Sequence, residues 1–176
     1  AGKHVNFAIG SEFNYLEDYL DKDSLVIAIS QSGETIDVVQ PCTRAKTRGA
    51  KVVALTNVVG STLYRLADYQ LMLCAGPERA VCATKSFSAM AADMIYLAYA
   101  CSGQAKRGQV ILKDCAKAVE DILKADYVNS VKELAKKLKN KRDIYVIGRG
   151  LSYATALEAT LKLKEVPYVH SEGFAG

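Results

Sequence analysis

Three hydroxyl side chains follow an apolar strand in the first third of the chain, at a spacing that suits a phosphate dianion. The sequence LVIAISQSGET occupies residues 25–35, and its hydroxyls belong to Ser30, Ser32 and Thr35. Gly33 lets the backbone approach a ligand closely, and the first amides of a following helix would point to the same place. A helix N-cap also uses such residues, but a cap needs one hydroxyl and this loop offers three. The segment therefore predicts a phosphate-binding loop.

A helix near the end of the sequence carries a second group of residues suited to chemistry. Glu158, Lys162 and Glu165 fall at i, i+4 and i+7, so they share one helix face. A proton shuttle needs a carboxylate base, and a neighbouring lysine can stabilise developing negative charge. A solvated ladder of ion pairs has the same spacing, and each exposed pair contributes less than about 1 kcal/mol. Spacing alone favours the ladder.

The elements that must position these residues alternate between strand and helix. Strands are predicted at 5–9, 24–29, 51–56, 69–74, 143–148 and 166–170. Helices are predicted at 35–48, 61–66, 84–100, 106–125, 126–139 and 153–164. This alternation indicates an α/β fold, a doubly wound parallel sheet flanked by helices. The segments at 5–13 and 166–174 each contain a predicted strand and then Ser-Glu, which predicts a weak internal repeat.

Composition and charge exclude several classes of protein. Half of the 176 residues are apolar and the net charge is only +4, without aromatic residues interleaved among the basic ones, so we expect no nucleic-acid partner. The longest apolar run, at 89–101, contains Asp93 and is too short to span a bilayer, so we expect no membrane partner.

The cysteines, histidines and glycines argue against metal and dinucleotide sites. Five cysteines form no Cys-x-x-Cys pair, which fits a reducing cytoplasm better than a disulfide framework. His4 and His170 are too few and too isolated to form a metal site. The Gly-Arg-Gly turn at 148–150 lacks the third glycine of a dinucleotide loop, so no cofactor is expected.

Three sequence blocks, in this order, resemble the sugar isomerase (SIS) domain family, most closely the isomerase half of glucosamine-6-phosphate synthases. They are SQSGET at 30–35, AVCATKSF at 80–87, and IGRG at 147–150 continuing into ALEATLKLKE at 156–165. The resemblance covers nearly the whole chain and implies a flavodoxin-like SIS fold. It also implies two tandem SIS domains, of which this chain would be an internal slice.

The resemblance assigns roles to individual residues. The family's sugar 6-phosphate is held by residues that match Ser30, Gln31, Ser32 and Thr35. The glutamate that matches Glu165 is the general base that moves a proton between C1 and C2, and the lysine that matches Lys162 belongs to the same active site. Val81 matches a backbone contact to the sugar. The family usually has serine where this chain has Ala83, so a backbone group would have to serve there.

The resemblance also sets the expected organisation. Residues 1–105 would form a first SIS domain without its opening strand and helix, 106–140 a helical connector, and 141–176 the start of a second SIS domain. The expected function is conversion of fructose 6-phosphate to glucosamine 6-phosphate within a glutamine-dependent synthase. The expected partners are those sugar phosphates, a second copy of the chain in a homodimer, and a glutaminase domain of the same full-length chain.

Two alternatives stay open at this point. One is a SIS-family glucosamine-6-phosphate deaminase or isomerase that lacks the glutaminase, and the other is a non-catalytic phosphosugar sensor. A sensor is not expected to keep the helix at 156–165. Since other family parts, such as the lysine that forms a Schiff base with the ketose, have no match here, we expect the slice to be inactive alone.

Overall fold

The computed structural model describes residues 4–176, which form two compact units. The first unit comprises the chain up to Arg79 together with Ala83–Leu112, and the second comprises Ala80–Cys82 and Lys113–Gly176. The domain limits implied by the family resemblance, at residues 105 and 140, stay a prediction.

The first unit is built on a three-stranded parallel sheet, in which the strands at 25–30, 51–56 and 69–72 lie side by side in chain order. Two short 3-10 turns, Gly10–Tyr15 and Glu17–Tyr19, precede it. Its elements are β1 (Leu25–Ser30), α1 (Ile36–Thr47), β2 (Lys51–Thr56), α2 (Thr62–Leu66), β3 (Tyr69–Met72) and α3 (Lys85–Cys101). Helix α4 (Ala105–Ile122) begins in this unit and ends in the second.

The core of the first unit lies between the sheet and helices α1 and α2. Strand β2 is central and is buried over five of its six positions, as expected for a parallel strand covered on both faces. The core side chains are Ala28, Cys42, Val52, Ala54, Leu63 and Ala67. Burial raises the pKa of the Cys42 thiol to about 11, so this thiol stays protonated and behaves as a small apolar group.

The second unit contains a smaller parallel sheet. Its elements are α5 (Ala125–Leu138), β4 (Asp143–Gly148), α6 (Leu151–Glu165) and β5 (His170–Ala175). The two strands pair in parallel from Asp143 with His170 to Gly148 with Ala175. Helix α6 packs on them through the buried Ala156 and Thr160, and the Ser171 hydroxyl donates to the Thr160 carbonyl at 2.9 Å.

The parallel strands flanked by helices confirm the predicted fold class, and two predicted strands are wrong. Residues 5–9 form no strand, and the side chains of Val5 and Phe7 are 80% and 88% exposed. The last strand begins at His170 rather than at Val166, because α6 continues to Glu165 and Pro167 has no amide to donate to a ladder. The predicted internal repeat therefore does not correspond to two equivalent strands.

Every helix within residues 4–176 is too short or too polar to cross a membrane.

Candidate functional site

The predicted phosphate loop joins the C-terminal end of β1 to the start of α1. The hydroxyl oxygens of Ser30 and Thr35 lie 3.1 Å apart in a hydrogen bond, and the Gly33 amide donates to Ser30 Oγ at 3.1 Å. The Glu34 amide donates to Ser32 Oγ at 3.2 Å. Thr35 is the N-cap residue of α1, yet its hydroxyl does not cap the helix. All three hydroxyls therefore form hydrogen bonds within the loop, and helix capping does not account for the Thr35 hydroxyl.

Gly33 is the one residue of this loop that no other amino acid can replace without strain. Its φ is +65°, in the left-handed region that favours glycine. A Cβ atom at this position would lie 2.1 Å from Ser61 Oγ and 2.9 Å from Thr56 Oγ1. The loop therefore sits tightly against the end of β2 and the start of α2.

The electrostatics of the loop favour an anion held by neutral donors. Residues 30–35 include no lysine or arginine, and Glu34 is their one charged residue. Its carboxylate accepts from the Thr62 amide and the Thr62 hydroxyl, both at 2.7 Å. These hydrogen bonds from Thr62, together with the nearby Arg65, lower the pKa of Glu34. The first turn of α1 adds the positive end of a helix dipole.

In the second unit, α6 brings together the predicted base and its lysine. Lys162 Nζ lies 2.7 Å from a carboxylate oxygen of Glu165 and 3.2 Å from one of Glu158, and it also donates to the Cys82 carbonyl. Partial desolvation by itself would lower the pKa of Lys162. The hydrogen bonds and charges of the two glutamates outweigh it, so the pKa is raised and the lysine is a firmly held cation.

The segment that leads into α3 contains the two predicted sugar contacts. Val81 is 96% exposed, and Ala83 has a φ of +38°. Between them, Cys82 is buried and offers its carbonyl to Lys162. The roles of Val81 and Ala83 toward a sugar stay predictions.

Two residues that the sequence did not single out organise the loops around the first sheet. Asn57, just after β2, donates its backbone amide to the Gln31 carbonyl at 3.0 Å and its side-chain amide to the Gly76 carbonyl at 2.7 Å. Its side-chain oxygen accepts from the Ala75 amide at 3.0 Å. Asn57 thus joins the loops that follow β1, β2 and β3. Its position right after a buried strand was the available signal.

Glu78 is the second such residue. Its carboxylate accepts from the Ser86 hydroxyl at 2.8 Å and from the amides of Thr84 and Ser86 at 3.1 Å, at the start of α3. A carboxylate at a helix N-terminus is favourable, because it satisfies amides that have no partner within the helix. Nothing in the local sequence indicated this contact, since Glu78 lies several residues before the helix.

No group of three or more His, Cys, Asp or Glu side chains within residues 4–176 is arranged to hold a metal ion.

Comparison with known proteins defines the class. The sequence model of the SIS domain matches residues 1–99 and 137–176, and the chain belongs to the SIS domain family. This confirms the family resemblance.

Among curated proteins, the chain is 42% identical over 179 residues to the glutamine–fructose-6-phosphate aminotransferase (isomerizing) of Clostridium tetani, covering 97% of this chain and 29% of that protein. It is 44% identical over 174 residues to the enzyme of the same name from Thermococcus kodakarensis, covering 94% of this chain and 29% of that protein. The chain thus spans under a third of these relatives.

A solved structure agrees with these relatives. The C-terminal domain of glucosamine-fructose-6-phosphate aminotransferase from Francisella tularensis superimposes with a TM-score of 0.76 at 32% identity, covering 86% of this chain and 44% of that one.

Proposed function

We propose that this chain is a phosphosugar isomerase module that converts fructose 6-phosphate to glucosamine 6-phosphate within a glutamine-dependent synthase. The observation that carries the proposal is the β1–α1 loop, which places three hydroxyls beside a helix N-terminus. Ser30 and Thr35 are hydrogen-bonded to each other, and Ser30 and Ser32 each accept from a backbone amide of the loop. The names of the relatives with 42% and 44% identity support the substrate class.

The phosphate of the sugar binds at Ser30, Gln31, Ser32 and Thr35. The Ser32 hydroxyl accepts from the Glu34 amide, and the Ser30 and Thr35 hydroxyls share one hydrogen bond, so hydroxyl protons can turn toward a phosphate oxygen. Hydrogen bonds to a charged acceptor are stronger than those between neutral groups. The first amides of α1 add donors that carry no fixed charge. This loop therefore holds the substrate by its phosphate.

Glu165 acts as the base in the sugar-rearranging step. Its carboxylate takes a proton from C1 as the C1–H bond breaks and returns it at C2 to form the new C–H bond. The C1 hydroxyl loses its proton as C1 becomes a carbonyl, and the heteroatom on C2 gains one, so the step is redox-neutral overall. Lys162 supports this role because its ammonium, 2.7 Å away, fixes one carboxylate oxygen of Glu165. Val81 and Ala83 contact the sugar through their backbone. The glutaminase domain of the full-length chain supplies ammonia, and the working unit is a homodimer.

The phosphate assignment is tested by titration calorimetry of fructose 6-phosphate into the 176-residue chain. Changing Ser32 and Thr35 together to alanine removes two donors to a charged group, each worth roughly 1.5–3 kcal/mol, so the affinity should fall by at least about tenfold. Thr43→Val is the matched control, because the Thr43 hydroxyl donates within α1 to the Val39 carbonyl. A double variant that binds as tightly as the parent would refute the assignment.

A further inference from the structure

Glu34 connects the phosphate loop to a helix 28 residues further along the chain. Its two carboxylate oxygens separately accept the amide and the hydroxyl of Thr62, the first residue of α2, at 2.7 Å each. The next amide of α2, that of Leu63, donates to the Gly33 carbonyl at 2.9 Å. Two consecutive residues of the loop thus satisfy two consecutive amides at the start of α2, which no helical carbonyl can reach.

This docking determines where the loop amides point. The Gly33 carbonyl and the Glu34 amide belong to one planar trans peptide, so they point in opposite directions. Because the carbonyl is held toward Leu63, the amide is directed away from α2, and it donates to Ser32 Oγ at 3.2 Å. The orientation of a donor in the predicted phosphate site therefore depends on contacts behind the loop.

The same contacts hold the negative charge of Glu34 against α2. A carboxylate beside a phosphate dianion repels it, and the repulsion is strong over the few ångströms of a six-residue loop. In the structure this carboxylate faces the N-terminal residue of α2, where donors and Arg65 compensate its charge.

We propose that Glu34 is a positioning residue for phosphosugar binding, which fixes the loop at 30–35 in its anion-binding conformation by bonding with both carboxylate oxygens to Thr62. The proposal rests on the function proposed above. Glu34 touches no substrate, and its effect passes through the loop backbone.

The test measures fructose 6-phosphate affinity by calorimetry on the 176-residue chain. Glu34→Ala removes both hydrogen bonds from the loop to Thr62, leaving the bond between the Gly33 carbonyl and the Leu63 amide, and should weaken binding by about tenfold. Glu34→Gln keeps the size and both hydrogen bonds, since its oxygen accepts the Thr62 amide and its NH₂ donates to the hydroxyl, so it should bind within about twofold of the parent. Glu133→Gln, which changes an exposed glutamate on α5, is the charge-matched control.

A double-mutant cycle separates positioning from general destabilisation. Thr62→Val removes the hydroxyl partner and keeps the amide, so it should weaken binding less than Glu34→Ala does. If both act through one contact, the pair should bind no more weakly than Glu34→Ala alone, to within about twofold. Melting temperatures confirm that each variant is folded, and Thr62→Val serves as the milder probe if Glu34→Ala is unfolded.

Failure of the positioning role of Glu34 can be distinguished from failure of the phosphate assignment. The positioning role is overturned if folded Glu34→Ala binds with parental affinity. If Glu34→Ala does not fold, parental affinity in Thr62→Val overturns it instead. It is also overturned if Glu34→Gln binds as weakly as Glu34→Ala. If the Ser32 and Thr35 double variant loses binding in the same assay, the phosphate site survives that result. If it does not, both proposals fall together.

Discussion

A catalytic role and a structural role for Glu165 predict clearly different experimental results. Its carboxylate is bonded to Lys162 at 2.7 Å on a face that also includes Glu158, and the same contacts would serve a simple ion-pair cluster. Only a measurement of turnover separates these roles. Since the chain spans 29% of its relatives, turnover is measured in the full-length protein.

We expect Glu165→Gln to lower turnover by about 10²-fold or more, because glutamine keeps the shape and removes the basicity. Sugar-phosphate affinity should stay near the parental value. Glu158→Gln is the matched control, since it neutralises the other partner of Lys162. A merely structural role for Glu165 predicts the reverse pattern, with a lower melting temperature and normal activity in the folded fraction.

The stability effect of replacing Gly33 should depend on the room for a Cβ atom as well as on φ. Gly33→Ala places a Cβ 2.1 Å from Ser61 Oγ, whereas Gly103, with a similar φ of +74°, has nothing within 4 Å of the added atom. Gly103→Ala should cost about 1–2 kcal/mol from the left-handed backbone alone. Gly33→Ala should cost more, with a melting temperature lower by roughly a further 2–4 °C for each additional kcal/mol. Equal melting temperatures for the two variants would show that the loop relaxes freely.

The sequence contained part of the candidate site but not its supports. The hydroxyls at 30–35 and the shared face of α6 follow from local spacing. The contact between Glu34 and Thr62 does not, because it depends on how α2 packs after β2. The Cys82 carbonyl beside Lys162 joins residues 80 positions apart, and a backbone acceptor has no residue-type signal at all.

At the scale of elements, the strands with long apolar runs were predicted best. Strands β2 and β4 have the predicted bounds and β1 is shifted by one residue at each end, because apolar runs flanked by glycine or a polar residue mark them locally. Residues 5–9 have the same apolar alternation but pair with no neighbouring strand, and the pattern alone does not provide one. The sequence HSEGFA of β5 has low strand propensity, so its pairing with β4 determines it.

Helix α3 contains a group that should limit stability. Asp93 Oδ2 is buried and finds no hydrogen-bond partner within the described part of the chain, and burial raises the pKa of this carboxyl. A buried polar atom without a partner is destabilising, and more so when charged. We expect Asp93→Asn to raise the melting temperature at pH 7 by about 2–4 °C.

The pH dependence checks the cause of that gain. An acid whose pKa is raised on folding favours the folded state below its unfolded pKa, near 3.8, and loses this contribution as the pH rises through the folded pKa. The advantage of asparagine should therefore shrink as the pH falls from 7 toward 4. Asp114→Asn, on exposed α4, is the control for a change in net charge. A gain that does not vary with pH would point to packing instead.

At the scale of the whole molecule, burial is distributed unevenly between the two units. Of the buried apolar side chains within residues 4–176, only Cys82 and Ala156 belong to the second unit. Its sheet has two strands, and on one of them Tyr145 and Ile147 are 61% and 70% exposed. Since a two-stranded sheet is marginal in water unless a helix covers it, the packing of α6 is what stabilises this one.

This difference predicts two levels of local stability. Amide hydrogens exchange through local openings whose free energy follows the buried contacts, so amides of β2 should exchange more slowly than those of β4 and β5. We expect protection at least about tenfold higher in β2, because tenfold corresponds to only about 1.4 kcal/mol of opening free energy.

Mass spectrometry of the 176-residue chain in deuterated buffer measures this protection, with intrinsic rates corrected for sequence. Low denaturant should widen the difference if the second unit opens alone. Equal protection in β2 and β5, with a common response to denaturant, would mean that the two units unfold as one despite their unequal cores.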